Sequence, residues 1–463
     1  MARVLLVYPN TSGIRRIPLG LSCVASELID SGHDASLFDT TFYVEGDTDN
    51  EKREELGIVK KVTMSNLYRC HSSSDPVEDF HETITRFKPD LIGITLLQDN
   101  YHFTKKLLHD IKKYTDAFVV AGGVMPSVAP DFVLSTLDVD GIMIGESEKA
   151  FNTLASGLDH NKSKKFLSNV PNLMFKTSDH GFIKNAISPL HEINRPCYSI
   201  FDEEHLWRPF IGKSWKTGYV ELTRGCPFKC SFCANPVMNS LYGNKRLRSK
   251  PVHKFIEEVA ELRDTYGLTL FSFCDENFLS LNKHDLKLFS EEWSNKIGLP
   301  FMIQTGIETI TEQRLEWIKE AGCATVSVGI ECGNEVFRRE ILNKHYSNDA
   351  VIKAFSLLKK AGIRSTANNM LGFPRETEKH IKETVDLNIK ASPDSVSLAI
   401  FSPYIGCSLH KMCVEDGLIG EWEVPEHVLT YDPGLRLPEE HKKMLKYYLD
   451  NFQELVFPTG KIN

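Results

Sequence analysis

Three of the eleven cysteines, Cys226, Cys230 and Cys233, lie within eight residues, in the run TRGCPFKCSFC of residues 223–233. Three thiolates in a tight loop can bind three irons of a cubane iron–sulfur cluster and leave the fourth iron open to a substrate. The alternative is structural zinc, which usually takes four protein ligands arranged in cysteine pairs. No second pair stands nearby in the sequence, so the spacing favours a cluster with an open iron.

The length, the net charge and the cysteine count are typical of a protein that uses cysteines for metal or redox chemistry in a reducing compartment. The chain has 463 residues, a net charge of −8 and an odd number of cysteines spread along its length. We expect two or three domains from this length and no disulfide framework from this cysteine pattern. The acidic charge argues against nucleic acid as a partner, and no apolar run approaches the ~20 residues that span a membrane. We therefore expect a cytoplasmic protein without a membrane partner.

The front of the chain alternates apolar strands with amphipathic helices, a pattern that predicts an α/β fold with a parallel sheet covered on both faces. We expect a Rossmann-like domain over residues 1–155, with one helix that begins at Pro18 and another at Phe80–Phe87. Residues 156–212 mix charges with proline and glycine, which predicts a connecting segment. The predicted strands are Val4–Val7, Ala35–Phe38, Leu91–Leu97, Phe118–Ala121 and Gly141–Ile144.

A second alternating series predicts a partial (βα)6 barrel of the TIM type over residues 213–405, because six βα units do not close an eight-stranded barrel. Residues 406–463 form a short, mainly helical C-terminal extension with one helical pattern, Glu439–Val456. In such barrels the chemistry lies at the carboxyl ends of the strands, and the cysteine run begins directly after the first of them. The predicted strands are Tyr219–Leu222, Leu268–Phe273, Phe301–Gln304, Ala324–Val328, Ser365–Asn368 and Val396–Phe401.

The CxxxCxxC spacing, with the aromatic Phe232 before the third cysteine, resembles the signature of the radical S-adenosylmethionine (SAM) superfamily. The resemblance implies a [4Fe–4S] cluster held by Cys226, Cys230 and Cys233, whose open iron binds SAM. One electron from the reduced cluster would cleave SAM to a 5′-deoxyadenosyl radical, which removes hydrogen from an unactivated carbon. The protein would then contribute positioning and the exclusion of water, while the cofactors carry the chemistry.

Motifs after the later barrel strands extend this resemblance, in the runs FCDENF (273–278), GIECG (329–333), LGFPRET (371–377) and FSPY (401–404). The resemblance places Phe232 near the adenine, Glu276 at the methionyl ammonium and Glu331 at the ribose hydroxyls. Two plainer alternatives stay open, since Glu276 could be a surface acid and Glu331 a carboxylate at a helix start. Related sequences often carry arginine after the third strand, where this chain has Gln304. The SAM-binding candidates are Phe232, Asp275, Glu276, Gln304, Ser327, Glu331, Leu371 and Phe373.

A Rossmann-like domain in front of a radical SAM barrel resembles the cobalamin-binding (B12-binding) subclass of that superfamily. The run YPNTSG of residues 8–13 follows the first strand, where the pattern of cobalamin domains is Asp-x-His-x-x-Gly. Asn10 takes the histidine position and Gly13 matches, so the resemblance implies a base-off corrinoid without histidine ligation. The alternative is a domain that keeps the fold but not the cofactor. The cobalamin-binding candidates are Asn10, Thr11, Pro18, Leu19, Thr95, Leu97, Gly122, Gly123, Gly145 and Glu146.

The resemblance leads to a cobalamin-dependent radical SAM methyltransferase that acts on an unactivated carbon of a small molecule. One alternative keeps the same cofactors for cyclisation or rearrangement without net methylation, and another is a corrinoid- or metal-binding sensor without turnover. A methylthio-transferring tRNA enzyme is disfavoured, because the front half has no cysteine set for a second cluster. We expect an external electron donor of the flavodoxin or ferredoxin type. The sequence carries no signal for the oligomeric state.

Overall fold

The computed structural model describes residues 1–43, 48–56, 62, 74–158, 163–179, 181–425 and 434–458. The chain divides into two compact units. The front unit comprises Met1–Glu51, Thr63–Trp207 and Ser240–Gly243. The barrel unit comprises Lys52–Val62, Arg208–Asn239 and Asn244–Asn463.

The front unit is built on a sheet of seven strands in the order β2-β1-β3-β4-β5-β6-β7. The first five are parallel, and β6 and β7 continue the sheet in antiparallel. In β1 the four consecutive residues Val4–Val7 are buried, which requires cover on both faces because successive side chains point to opposite sides. The prediction of an α/β, Rossmann-like domain is therefore confirmed. The strands are β1 Arg3–Tyr8, β2 Asp34–Asp39, β3 Leu91–Thr95, β4 Phe118–Gly122, β5 Gly141–Met143, β6 Leu173–Lys176 and β7 Phe182–Lys184.

Strands β6 and β7 lie in the segment 156–212, for which the sequence predicts only a connection. Strand β6 pairs with β5 in a register that places Leu173 opposite Met143, and its first three residues are buried. The two strands have four and three residues, too few for an alternating pattern to stand out from the charged sequence around them. The front unit accordingly extends to Trp207.

The helices of the front half begin at recognisable signals. The helix predicted to begin at Pro18 is α1, and the predicted helix Phe80–Phe87 lies within α3. The Asp75 carboxylate caps α3 by accepting a 2.8 Å hydrogen bond from the amide of Val77. The helices are α1 Leu19–Asp30, α2 Thr48–Glu55, α3 Pro76–Phe87, α4 Tyr101–Leu108, α5 Val124–Val128, α6 Pro130–Thr136, α7 Glu148–Leu158 and α8 Lys164–Leu167.

The barrel unit is a curled half-barrel of seven strands in the order β16-β15-β14-β13-β12-β9-β8. All six predicted strands are present, and they pair in parallel in chain order from β9 to β16. Strand β8 lies beside β9, and β10 forms a separate two-stranded ladder with β11. The partial barrel is therefore confirmed. The strands are β8 Trp207–Phe210, β9 Lys213–Val220, β10 Thr223–Arg224, β11 Arg248–Ser249, β12 Leu270–Phe273, β13 Phe301–Thr305, β14 Cys323–Glu331, β15 Arg364–Leu371 and β16 Ser395–Ile400.

Helices pack on the outer side of this sheet through an aromatic core in which Phe273 contacts Phe255, Phe289 and Trp293. The C-terminal extension is helical as predicted, and its last helix packs on α15 and β16. Among the described residues, no helix has both the length and the apolar character needed to span a membrane. The helices are α9 Asn235–Ser240, α10 Val252–Tyr266, α11 Lys283–Lys296, α12 Glu312–Glu320, α13 Glu335–Glu340, α14 Asn348–Lys360, α15 Glu378–Ala391, α16 Ser408–Glu415 and α17 Glu439–Val456.

Candidate functional site

The cysteine loop follows β9 and β10 at the carboxyl end of the barrel sheet. The thiols of Cys226, Cys230 and Cys233 are free and half-buried. Burial raises the pKa of Cys226 to about 11 and that of Cys230 to about 12. The metal-free thiols therefore keep their protons at neutral pH, and iron must displace them on binding. Helix α9 holds both ends of the loop, since the Asn239 amide donates to the Cys226 carbonyl (2.7 Å) and the Asn235 backbone amide donates to the Cys233 sulfur (3.4 Å).

This arrangement fits a cluster better than a single zinc ion. Among the described residues, no three histidine, cysteine, aspartate or glutamate side chains converge closely enough to hold one metal ion. Ligands of one zinc must converge on a single point, whereas thiolates on different irons of a cubane stand farther apart. Three half-buried thiols in one loop, with no fourth ligand among them, match the donor set of a cluster with an open iron.

Asp275 binds the two residues that precede the cysteine loop and so fixes the start of that loop. The carboxylate is buried and accepts hydrogen bonds from the backbone amides of Leu222 (3.2 Å) and Thr223 (2.6 Å) and from the Thr223 hydroxyl (2.6 Å). Burial raises the pKa of Asp275 to about 7, although the hydrogen bonds from Thr223 oppose that shift. These bonds occupy a carboxylate that is fully buried, whereas the Glu276 side chain keeps exposed surface, so we assign Asp275 a positioning role at the start of the loop.

Glu276 reaches the cysteine loop itself. Its Oε2 accepts a 2.8 Å hydrogen bond from the amide of Gly225, and its Oε1 lies 2.9 Å from Nη1 of the buried Arg246. Gly225 has a φ of +107°, and a Cβ there would stand 2.7 Å from the backbone of Leu247, so only glycine fits. Arg246 also donates to Asn235 (2.8 Å), which joins Glu276 to helix α9. Glu276 therefore lies against the loop and not on an open surface.

Glu331 forms an ion pair with Lys344, a residue outside every motif of the sequence analysis. It lies at a bulge at the end of β14 with a φ of +62°, and its Oε1 is 3.0 Å from Nζ of Lys344. Burial alone would lower the pKa of Lys344, but the charge of Glu331 outweighs it and raises that pKa above the ordinary range. The helix-start alternative does not describe Glu331, because Asn334 is the residue that caps α13.

Tyr346 and Arg338 hold the bulge that carries Glu331. The Tyr346 hydroxyl lies within hydrogen-bond distance of the carbonyls of Gly329 (3.0 Å) and Ile330 (3.1 Å). The buried Arg338 guanidinium is 4.5 Å from the centre of the Tyr346 ring and donates to the Tyr346 carbonyl (2.8 Å). Lys344, Tyr346 and Arg338 were missed by sequence reasoning, because they lie outside every strand-end motif.

The remaining SAM candidates lie on three neighbouring strands, β13, β14 and β15, in the cysteine loop and just after β15. Gln304 and Ser327 are register partners on β13 and β14, and the Gln304 amide donates to the Asp275 carbonyl (3.0 Å). The half-buried Phe232 ring packs 6.2 Å from the ring of Phe373, which is itself in the core. Leu371 is buried at the end of β15. The side chains of Leu371 and Phe373 therefore belong to the core. A ligand at this position could meet only the backbone of these two residues, as the family resemblance implies.

In the front unit, the Asn10 side chain is fully used in hydrogen bonds to its own loop and to Thr41. Its Nδ2 donates to the Ile14 carbonyl and to the Thr41 hydroxyl (both 2.9 Å), and its Oδ1 accepts from the Ser12 amide (3.1 Å). The side chain is buried, while the neighbouring Thr11 is exposed. Asn10 therefore shapes the loop after β1 and has no free group to offer to a metal.

The ends of β3 and β4 leave backbone open to a ligand. Thr95 and Gly122 are register partners there, and Gly123 has a φ of +111°. A Cβ on Gly123 would stand 2.9 Å from the Leu96 carbonyl oxygen, so the position requires glycine. Leu97 is 37% exposed, a large apolar side chain at the same edge. Bare glycine backbone beside an exposed leucine suits a flat ligand with apolar faces and amide groups, which is the chemistry of a corrin.

The other cobalamin candidates lie around the same edge of the front sheet. The Tyr242 hydroxyl is 2.6 Å from the amide of Glu146, and a Cβ on Gly145 would stand 2.3 Å from that hydroxyl oxygen. Pro18 and Leu19 begin α1, which follows β1, and both are half-buried. Tyr242 is a further contact that sequence reasoning missed, since it lies far from the front domain in the chain.

Two family models match this chain. The radical SAM superfamily model matches residues 220–387, and the B12-binding domain model matches residues 11–155. The chain therefore contains a B12-binding domain followed by a radical SAM domain, the combination found in cobalamin-dependent radical SAM enzymes. A radical SAM domain implies a [4Fe–4S] cluster and SAM, and a B12-binding domain implies cobalamin. Both cofactor predictions are thus confirmed at the level of the domains.

Three related proteins align with most of this chain. An uncharacterized methyltransferase of Pyrococcus horikoshii is 26% identical and covers 96% of this chain and 91% of its own. The cytidylyl-2-hydroxyethylphosphonate methyltransferase of Streptomyces wedmorensis is 22% identical and covers 94% and 85%. The anaerobic magnesium-protoporphyrin IX monomethyl ester cyclase of Rubrivivax gelatinosus is 24% identical and covers 72% and 60%.

Solved structures share the fold. The radical SAM methyltransferase TsrM of Kitasatospora setae, with cobalamin and a [4Fe–4S] cluster bound, has a TM-score of 0.66 at 17% identity. The similarity covers 89% of this chain and 76% of TsrM. The cobalamin-dependent radical SAM enzyme OxsB, with aqua-cobalamin bound, has a TM-score of 0.65 at 15% identity and covers 100% of this chain and 57% of its own. These neighbours support the arrangement of a B12-binding fold before a half-barrel.

Proposed function

We propose that this protein is a cobalamin-dependent radical SAM methyltransferase that acts on an unactivated carbon of a small molecule. The observation that carries the proposal is the loop with three half-buried thiols, with the Glu331–Lys344 ion pair in the same unit. Methylation is supported by the two relatives that cover 96% and 94% of this chain, since both are named methyltransferases. The substrate of either relative is a property of that relative.

The residues of the barrel unit have separate roles in this proposal. When bound, the cluster supplies the electron that cleaves SAM, and cobalamin supplies the methyl carrier. Cys226, Cys230 and Cys233 hold the cluster, and Asp275 fixes the strand end from which their loop starts. Glu276 is the acceptor for the methionyl ammonium of SAM.

The Glu331–Lys344 pair offers both signs of charge to the same ligand. The Lys344 ammonium is suited to the methionyl carboxylate, and the Glu331 carboxylate is suited to the ribose hydroxyls. Lys344 would then supply the cation that related sequences often place after the third strand, where this chain has Gln304. Phe232 and the backbone of Leu371 and Phe373 would border the adenine.

The front unit would hold cobalamin without a histidine ligand from the loop after β1. Asn10 is committed to hydrogen bonds with Ile14 of its own loop and with Thr41, and Thr11 is the exposed neighbour. Leu97, Gly122 and Gly123 offer the open backbone and apolar contact that a corrin needs. In this proposal, cobalamin binds through its shape and through backbone contacts, and the chain supplies no ligand to the cobalt.

Cyclisation or rearrangement without net methylation is the second candidate. The observation that favours it is the set of relatives named anaerobic magnesium-protoporphyrin IX monomethyl ester cyclase, one of which covers 91% of this chain at 24% identity. The mass of the product separates the two candidates, because methylation adds one CH₂ unit.

We further propose an external one-electron donor of the flavodoxin or ferredoxin type. The free cysteines of the described chain support a reducing, cytoplasmic location.

Anaerobic reconstitution tests the proposal. The chain is loaded with iron, sulfide and hydroxocobalamin, desalted, and analysed for iron, cobalt and absorption. We expect about four irons and about one corrinoid per chain, and 5′-deoxyadenosine when SAM and dithionite are added. Four irons without corrinoid would contradict the methyltransferase proposal, and no 5′-deoxyadenosine would contradict radical SAM chemistry altogether.

A further inference from the structure

Three segments of the barrel unit are joined by hydrogen bonds around the cysteine loop. The Ser231 amide donates to the Leu342 carbonyl (3.1 Å), and the Leu409 amide donates to the Ser231 carbonyl (3.0 Å). The Asn343 side chain donates to the Lys229 carbonyl (2.6 Å). Residues 226–233, 341–345 and 407–411 therefore form one surface, which we call the loop face.

The exposed side chains of the loop face carry positive charge and no negative charge. None of them is a carboxylate, although the whole chain has a net charge of −8. Among the described residues, neither Lys229 nor Lys411 has an ion-pair partner, whereas Lys446 on another helix of the unit pairs with Asp450 (2.8 Å). The exposed residues are Pro227, Lys229, Asn343, His345, Ser408 and Lys411.

The loop face is also the outside of the loop that holds the thiols. Pro227 and Lys229 are exposed, and they lie between the half-buried Cys226 and Cys230 in the chain. Each SAM cleavage consumes one electron at the cluster, so the cluster must be reduced from outside before every turnover. A protein bound to the loop face would contact Pro227 and Lys229, which lie in the chain between two of the three cysteines.

We infer that the loop face is the docking surface for an acidic one-electron donor protein of the flavodoxin or ferredoxin class. The inference rests on the proposed function, because it requires a cluster to be reduced. The donor is oxidised by one electron and the cluster gains that electron, with no transfer of atoms or protons. An acidic donor meets a surface without carboxylates, and such complementarity raises the rate of encounter in a manner that salt weakens.

Charge reversal tests the inference in the reconstituted full chain. The variants are Lys411→Glu alone and Lys229→Glu with Lys411→Glu. The control is Lys353→Glu with Lys390→Glu, which makes the same charge change on two exposed helix lysines of the same unit. The rate of 5′-deoxyadenosine formation is measured with reduced flavodoxin and, separately, with dithionite, a small reductant that needs no protein interface.

We expect the flavodoxin-driven rate to fall about tenfold in the double loop-face variant and severalfold in Lys411→Glu, with little change in the control. Salt should slow the wild-type flavodoxin reaction and have a smaller effect on the double variant. Dithionite should drive all four proteins equally. An unchanged flavodoxin rate in the loop-face variants would overturn the docking surface while the proposed function stands.

Two other results would also overturn the inference. A loss of the dithionite-driven rate in the loop-face variants would show that these lysines act on the cluster or its loop and not on docking. Failure of dithionite with the wild-type protein would remove the proposed function and the docking surface together. The dithionite measurement therefore separates a wrong surface from a wrong enzyme class.

Discussion

Nζ of Lys344 lies 3.0 Å from Oε1 of Glu331, although the two residues are thirteen positions apart. Lys344 also donates to the Gly329 carbonyl (3.2 Å), so the ammonium is fixed at two points. The charge of Lys344 acts on Cys230 and lowers the pKa of that thiol against the larger effect of burial. A largely buried cation that acts on a candidate cluster ligand and pairs with a ribose-binding candidate is well placed for a zwitterionic ligand.

Replacing Lys344 with methionine should weaken SAM binding about tenfold to a hundredfold, because a hydrogen bond to a charged group contributes roughly 1.5–3 kcal/mol. Iron content should not change, since Lys344 is not a cluster ligand. The dissociation constant of SAM, measured by equilibrium binding to the reconstituted protein, gives the result. Lys382→Met is the control, since Lys382 pairs with Glu378 (3.1 Å) on an exposed helix. Equal SAM affinity in the two variants would remove Lys344 from the site.

Replacing Tyr346 with phenylalanine should weaken SAM binding by acting on Glu331. The variant keeps the ring under Arg338 but removes the hydroxyl that bonds to Gly329 and Ile330. We expect a loss of ~1 kcal/mol in the free energy of unfolding, with a higher KM for SAM and an unchanged kcat. The matched control is Tyr448→Phe, which removes the hydrogen bond from Tyr448 to Glu378 (3.0 Å). If both variants lose stability alike and neither shifts the KM for SAM, Tyr346 is only structural.

Replacing Cys226, Cys230 or Cys233 singly with alanine should abolish both iron loading and SAM cleavage, because a cubane needs all three thiolates. Iron analysis and assay of 5′-deoxyadenosine provide the readouts. Cys197→Ala is the control, since this half-buried thiol of the front unit contacts Ser199 and not the cysteine loop. Full SAM cleavage in any one of the three loop variants would refute the cluster assignment.

The cysteine loop and its strand could be predicted from the sequence because the three cysteines are neighbours in the chain. The parallel strands of the front sheet could be predicted because runs such as Val4–Val7 are continuously apolar. The roles of Lys344 and Tyr346 beside Glu331 could not be predicted, because both residues lie in a loop whose sequence has no periodic pattern. Asn10 shows a further limit, since the motif made it a candidate but its hydrogen bond to Thr41, 31 residues away, depends on tertiary structure.

Glu376 should make the stability of the barrel unit depend on pH. Its carboxylate is buried and accepts a 2.6 Å hydrogen bond from the Gly372 amide, and burial raises its pKa from 4.5 to about 8. In the folded chain the group is therefore protonated at neutral pH, whereas in the unfolded chain it loses its proton above pH 4.5. Its contribution to stability is fully present below pH 4.5 and is lost as the pH rises to about 8.

A Glu376→Gln variant removes this ionisation while its amide oxygen can still accept from Gly372. We expect the melting temperature of the variant to exceed that of the wild type by a margin that grows from pH 5 to about pH 8 and then levels off, because both wild-type states are ionised above that pH. The control is Glu378→Gln, where a neighbouring Lys382 lowers the pKa of an exposed carboxylate. A margin for Glu376→Gln that stays constant across this range would show that Glu376 is ionised in the folded chain.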